Sequence, residues 1–306
     1  MGKEMTKCTF AGFHPAINLL YFTAMIGFSM FFMHPIGLAV SLVCACTYAI
    51  YLNGRKAVRM GLKFMLPMLV LTAVLSPLFN HQGMTILGYL PNGNPITLES
   101  TMYGIAAAVM LITVINWFSC FNAVMTSDKF VYLFGRIIPA LSLILAMALR
   151  IVPRFSEQIK IISNAQKCIG RDVSSGNMLQ KARHGIRILS IMVTWAMENA
   201  IETADSMKGR GYGLPGRTAF SIFRFDRRDA WAAVYILICA AAMIAGAATE
   251  VSRFRYFPSI RGNWTGFWTI SVFFAYFALG VFPLLVNLKE DILWKHITAL
   301  KLRDGA

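Results

Sequence analysis

Charged residues are scarce in this chain, acidic ones most of all: 306 residues carry 14 Asp and Glu against 29 Lys and Arg. Only 14% of its residues are charged, where soluble domains carry about 25%. The shortage is also uneven. No Asp, Glu, Lys or Arg occurs in residues 8–54, 64–98, 100–127, 230–249 or 262–288. A helix needs roughly 20 apolar residues to cross the hydrocarbon core. The first run is long enough for two crossings, with a turn near Met33-His34-Pro35. With 57% hydrophobic residues and a mean hydropathy of +0.59, the chain reads as an integral membrane protein.

Several kinds of chemistry are missing as well. No GxxxxGK[ST] is present, so the chain has no P-loop of its own for ATP. HExxH and GxSxG patterns are absent. The apolar spans carry no acidic or basic side chain in their interiors. Such side chains usually mark proton or ion coupling, so their absence argues against a gradient-driven transporter and an intramembrane acid–base enzyme. The six cysteines (Cys8, Cys44, Cys46, Cys120, Cys168 and Cys239) form no disulfide framework, and none pairs with a His at metal spacing. His14, His34 and His81 fall near span ends, where an interfacial polar role suits them. No catalytic residue, metal site or cofactor is expected. The net charge of +15 clusters at span ends and in one central block. That placement follows the positive-inside rule, so the partner implied is membrane lipid and not nucleic acid.

The expected fold is all-α: a polytopic membrane protein with about six transmembrane helices plus long cytoplasmic or interfacial helices. The spans fall near residues 14–32, 35–52, 64–79, 101–121, 230–249 and 264–287. The chain divides into N-terminal spans (1–129), a central block (130–229) and C-terminal spans with a tail (230–306). The loop 80–100 lacks Lys and Arg, carries Pro91-Asn92-Gly93-Asn94-Pro95, and should lie outside. Residues 130–149 are apolar apart from Arg136. If they crossed, the basic block from Arg150 to Arg228 would lie outside, against the charge rule. They are therefore expected to run along or partly into the membrane, unless an earlier span is false.

The central block reads as two long helices. One ends near Cys168, before Gly170-Arg171-Asp172; the other runs over residues 177–208. On the second, Leu189, Met192, Val193, Ala196, Met197, Ala200, Ala204 and Met207 recur at three- and four-residue steps as an apolar stripe. Glu198, Glu202 and Asp205 form another. Interfacial helices fit this composition. The second helix ends in a glycine–arginine segment, Lys208-Gly209-Arg210-Gly211-Tyr212-Gly213-Leu214-Pro215-Gly216-Arg217-Thr218. Gly209 suits a left-handed C′ position. Arg210 suits the negative end of the macrodipole and can pair bidentately with a carboxylate. Gly211 and Gly213 allow close backbone approach, and Tyr212 is a flat anchor. A plain Schellman ending with Arg210 in water accounts for the same residues.

Ala204-Asp205-Ser206-Met207-Lys208-Gly209-Arg210-Gly211-Tyr212-Gly213, with Gly216-Arg217-Thr218, resembles the second Ala-Arg-Gly signature of the transmembrane T component of energy-coupling factor (ECF) transporters. Gly209 stands where the family has Ala. Ala165-Gln166-Lys167-Cys168-Ile169-Gly170-Arg171 resembles the first signature, with Cys168-Ile169 in place of Ala-Arg and Arg171 one residue beyond the glycine. The resemblance implies a non-catalytic membrane scaffold whose two signatures dock onto two ABC ATPases. It places Gly209, Arg210, Gly211, Tyr212, Gly213, Cys168, Gly170 and Arg171 in that contact. It further implies a substrate-capturing S component for a vitamin or metal ion, faced by Met192, Trp195 and Met197. The implied location is a bacterial or archaeal cell membrane; the placement of the basic residues puts the coupling region and both termini on the cytoplasmic side. The 18 Met residues would suit an adaptable surface for exchanging S components. A self-sufficient transporter or channel is the competing class. A membrane enzyme acting on lipid is the third, with Asp226-Arg227-Arg228-Asp229 its nearest feature, though a juxtamembrane charge cluster explains that run.

Overall fold

A computed structural model describes residues 8–54, 59, 61–89, 91, 93–171, 177–212, 223–249, 254–262 and 266–304. The chain forms two compact units, Met1–Thr126 with Phe223–Ala306, and Ser127–Ile222.

The first unit is a bundle of α1 (Pro15–Phe31), α2 (Pro35–Asn53), α3 (Leu66–Phe79), α4 (Leu98–Val124), α8 (Arg227–Ala248) and α9 (Phe267–Asp304). A 3-10 turn, Thr9–Gly12, precedes α1, and a π-helical turn, Gly61–Met65, leads into α3. Among the described residues, α2, α4, α8 and Phe267–Trp294 of α9 are long and apolar enough to cross a membrane; α1 and α3 are apolar but shorter. At 1.5 Å per residue, the 14 residues of α3 span only about 21 Å.

Proline opens α1 and α2, where a missing N–H costs no helical bond. His14 and His34 do more than sit at an interface. Each is an N-cap whose Nδ1 accepts the N–H two residues on, from Ala16 and Ile36, both at 3.3 Å. The two His-Pro pairs are thus one device used twice.

The core of this unit is aromatic. Trp117 of α4 is fully buried, with ring centroids of Tyr21, Phe22 and Tyr48 at 6.0, 6.3 and 6.4 Å. Beside it lies a small polar knot. Trp117 Nε1 donates to Ser41 Oγ (3.1 Å), Tyr276 Oη donates to Ser41 Oγ (2.9 Å), and the Ser29 hydroxyl lies 2.8 Å from both Ser41 and Tyr276. These bonds tie α1, α2, α4 and α9 together without any ionisable carboxylate or amine. Glycines bring helices close. A Cβ on Gly104 of α4 would meet Ser76 Cβ of α3 at 2.6 Å and the Thr72 carbonyl at 3.2 Å.

Two short antiparallel ribbons interrupt the helices. β1 (Ile86–Tyr89) pairs with β2 (Pro95–Thr97) in the loop between α3 and α4, with a bulge between Ile86 and Gly88. β3 (Phe254–Arg255) pairs with β4 (Arg261–Gly262) between α8 and α9. Tyr256, between them, donates its hydroxyl to the Met33 carbonyl at 2.8 Å. Burial, helped by Tyr103, pushes its phenol up to about 12, so it stays a donor.

At the other end of the bundle, Asn287 Oδ1 accepts the Phe10 N–H at 2.9 Å and Tyr51 Oη donates to Asp291 at 2.6 Å. Asn53 reaches Ser119 at 3.5 Å at this same end. The start of α1 and the ends of α2 and α4 are therefore neighbours here.

The second unit contains α5 (Ser127–Ile137), α6 (Pro139–Cys168) and α7 (Met178–Gly209). Residues 130–149, an apolar stretch that Pro139 interrupts, are divided between α5 and α6. Pro139 sits at the start of α6, and Ile138 before it lies outside the helical region at φ −134°, ψ 88°, since proline disfavours a helical residue ahead of it. α5 packs against α6, and α6 against α7.

Candidate functional site

The tips of α6 and α7 are where the sequence departs most from ordinary packing. The structure gives both the same ending. On α7, Arg210 is the C-cap (φ −87°, ψ 10°) and Gly211 is left-handed at φ +77°. The Tyr212 N–H reaches the Met207 carbonyl at 3.0 Å, and the Gly211 N–H reaches the Lys208 carbonyl at 3.0 Å. On α6, Ile169 is the C-cap (φ −90°, ψ 10°) and Gly170 is left-handed at φ +76°. The Arg171 N–H reaches the Gln166 carbonyl at 2.9 Å, and the Gly170 N–H reaches the Lys167 carbonyl at 3.0 Å. Each is a complete Schellman motif, which satisfies carbonyls the helix end would otherwise leave open.

One expectation is corrected here. Gly209 is not the left-handed residue; it is the last helical one, and Gly211 takes the C′ place. The helix runs as far as its hydrogen bonds allow, and of the described residues at this tip only Gly211 has φ above zero. Among the described residues, nothing outside its own stretch of helix lies within 4 Å of a Cβ placed on Gly209.

Aligning the tips by these bonds pairs Lys167 with Lys208 and Gly170 with Gly211. It also pairs Cys168 with Gly209, Ile169 with Arg210, and Arg171 with Tyr212. Cys168, Ile169, Gly170, Arg171, Gly209, Arg210 and Tyr212 are all exposed, and Gly211 is half-buried. Gly213, Gly216, Arg217 and Thr218 lie outside the described residues.

The helices behind the tips pack through a small apolar cluster. Ile162 of α6 is buried with Ile188 and Met192 of α7, and Phe155 and Trp195 close over them. The Phe155 and Trp195 rings meet edge to face at 5.5 Å, and the Arg154 guanidinium lies 5.5 Å from the Trp195 ring. The three residues expected on one outward surface are therefore split. Met192 and Trp195 turn toward α6, while Met197 is 64% exposed. Met197 shares its outward face with Leu189, Val193 and Ile201, all exposed. Counting from 189, the steps of four residues mark one helix face.

Asp226-Arg227-Arg228-Asp229 is not only a surface charge cluster. Asp229 is 3% exposed. Its Oδ2 accepts the Asp226 N–H at 3.0 Å and its Oδ1 accepts the His14 N–H at 3.2 Å. The Arg228 guanidinium lies 4.8 Å from the Phe13 ring. The Asp-x-x-Asp spacing just before an apolar run was the legible signal for a capping box.

Over 94 residues the chain is 38% identical to the energy-coupling factor transporter transmembrane protein EcfT of Lacticaseibacillus paracasei, covering 30% of this chain and 35% of that protein. It is 35% identical to EcfT of Lactococcus lactis subsp. cremoris over 99 residues, 32% of this chain and 37% of the relative. With EcfT of Lactobacillus helveticus the likeness is 24% identity over 259 residues, 78% of this chain and 93% of the relative. The match thus spans little more than a third of the first two relatives' length and nearly all of the third's. Residues 12–222 match the family described as CbiQ, cobalt transport protein. With that match over more than half its length and four helices fit to cross a bilayer, the chain is a multi-pass membrane protein that belongs to the CbiQ cobalt transport protein family.

Proposed function

We propose that this chain is the transmembrane coupling subunit of an ATP-driven importer of the energy-coupling factor type. It passes the motion of two ABC ATPases to a separate S component that captures a vitamin or metal ion. The observation that carries this reading is the pair of matched, exposed Schellman tips at the ends of α6 and α7. The names of the relatives and the lack of a P-loop support it.

In this reading the chain is not an enzyme. Arg210 leads the contact made by the α7 tip, with Gly209, Gly211, Tyr212 and Gly213 around it. Cys168, Gly170 and Arg171 belong to the contact made by the α6 tip. Met197 and its face on α7 meet the S component, while Met192 and Trp195 act from behind by holding α7 against α6. The second unit and both chain ends lie on the cytoplasmic side, as its basic residues favour. Residues 130–229 serve as the coupling block between the N- and C-terminal spans.

Arg210→Glu tests the reading. The substitution reverses one exposed charge and should leave membrane insertion intact. It should lower ATPase affinity and coupled uptake by at least about tenfold, as loss of a charge-assisted bidentate pair implies. Wild-type ATPase binding and uptake in this variant would remove Arg210 from the coupling role.

A further inference from the structure

The two tips share a frame but not what the frame presents. Ile169 and Arg210 are both C-caps, with backbone angles that agree within a few degrees. Their side chains therefore leave the two helix ends in the same sense. Ile169 is 64% exposed, and Arg210 is exposed as well. One is a branched hydrocarbon and the other a delocalised cation. An isoleucine held bare at a helix end is costly to hydrate and gains by burial against a partner.

Arg171 does not fill the gap. It stands beyond the left-handed glycine, in the place that Tyr212 takes on the other tip. It is displaced from the C-cap by two residues, about 3.8 Å per step along the chain, and the turn at Gly170 lies between.

No single groove chemistry suits both C-caps. A carboxylate that receives Arg210 gains a bidentate, charge-assisted pair. The same carboxylate covered by Ile169 would be desolvated with no partner. An apolar pocket shaped for Ile169 would strip water from the Arg210 guanidinium and offer nothing in return. We propose that the tips are received by grooves of different chemistry: a carboxylate-bearing groove takes Arg210 of α7, and an apolar pocket takes Ile169 of α6. The ATPase pair then presents two non-identical docking sites, and Ile169 sets which of them belongs to α6. Lys167 and Lys208, with Gly170 and Gly211, supply what the two contacts have in common. This inference rests on the coupling reading above.

The test uses the full chain in lipid nanodiscs and the assembled ABC ATPase pair purified with it, with binding followed by biolayer interferometry. Ile169→Arg gives both tips a C-cap arginine. It should weaken binding by at least about tenfold, because a guanidinium enters an apolar pocket unpaired. Ile169→Leu keeps volume and polarity and should stay within about threefold of wild type. Equal or tighter binding by Ile169→Arg would overturn the proposal, since a groove that accepts arginine would then serve both tips. Arg210→Glu separates the two levels. If it binds like wild type, or if no ATPase binds the wild-type chain, the coupling role itself fails. Loss in Arg210→Glu with none in Ile169→Arg sinks only the asymmetry.

Discussion

Asp229 and His14 are joined through a carboxylate and a backbone amide, Oδ1 accepting the His14 N–H at 3.2 Å while Oδ2 holds Asp226 at 3.0 Å. One buried side chain thus caps α8 and anchors the start of α1. Asp229→Ala removes both bonds. The expected loss is about 1–3 kcal/mol, read as a lower melting temperature in detergent. Asp229→Asn keeps an acceptor and should lose less. A melting temperature unchanged in the alanine variant would show that the capping geometry carries no stability.

The two glycines around Arg210 should answer oppositely to alanine. Gly211 is left-handed at φ +77°, so Gly211→Ala should strain the cap by about 1–2 kcal/mol. Gly209 is helical with open space at its Cβ position, so Gly209→Ala should firm the last turn by up to about 1 kcal/mol. Hydrogen exchange at the Arg210 to Tyr212 amides distinguishes the two. Faster exchange in Gly209→Ala than in Gly211→Ala would reverse the assignment of the C′ residue.

Gly104 lets α4 approach α3. Gly104→Val would place carbon within 2.6 Å of Ser76 Cβ and 3.2 Å of the Thr72 carbonyl. The helices must separate, at a cost of about 1–3 kcal/mol. The expected result is a less stable protein with α3 more open to protease. Gly12, whose Cβ position has nothing within 4 Å among the described residues, is the control site and should tolerate alanine better.

Trp195 is expected to matter for coupling without touching a partner. Trp195→Ala removes the edge-to-face contact with Phe155 and the guanidinium contact with Arg154. Together these are worth about 1–2 kcal/mol. Distance measurements between spin labels on α6 and α7 should broaden, and coupled uptake should fall. Met197→Ala should leave those distances unchanged and act only on S-component binding. Broadened distances in Met197→Ala would place that side chain in the α6–α7 contact after all.

Much of the fold was legible in advance, because its cause is local. Charge-free runs marked the apolar helices, and the long helices ending at Cys168 and Gly209 followed from stripes and breaks. The ribbon Ile86–Tyr89 with Pro95–Thr97 was foreseen only as a turn-rich loop, since its strands are too short to show a period. Met192 and Met197 looked alike in the stripe. They differ because α6 covers one and not the other, and no pattern on α7 alone could say where α6 would lie. The four-residue Asp226 to Asp229 cluster showed a capping spacing, but nothing local told that His14 would donate to it from across the bundle.

The sequence by itself determined that this chain lives in a membrane, where its helices stop, and that its α7 tip carries a cation. Those properties depend on transfer free energy and on backbone hydrogen bonds within a few residues. Only the tertiary structure decided that α6 covers Met192 and not Met197, that Asp229 is buried, and that it takes the His14 N–H from across the bundle. Each of these depends on which hydrogen bonds and neighbours the folded chain brings together, and that is a property of the whole packing.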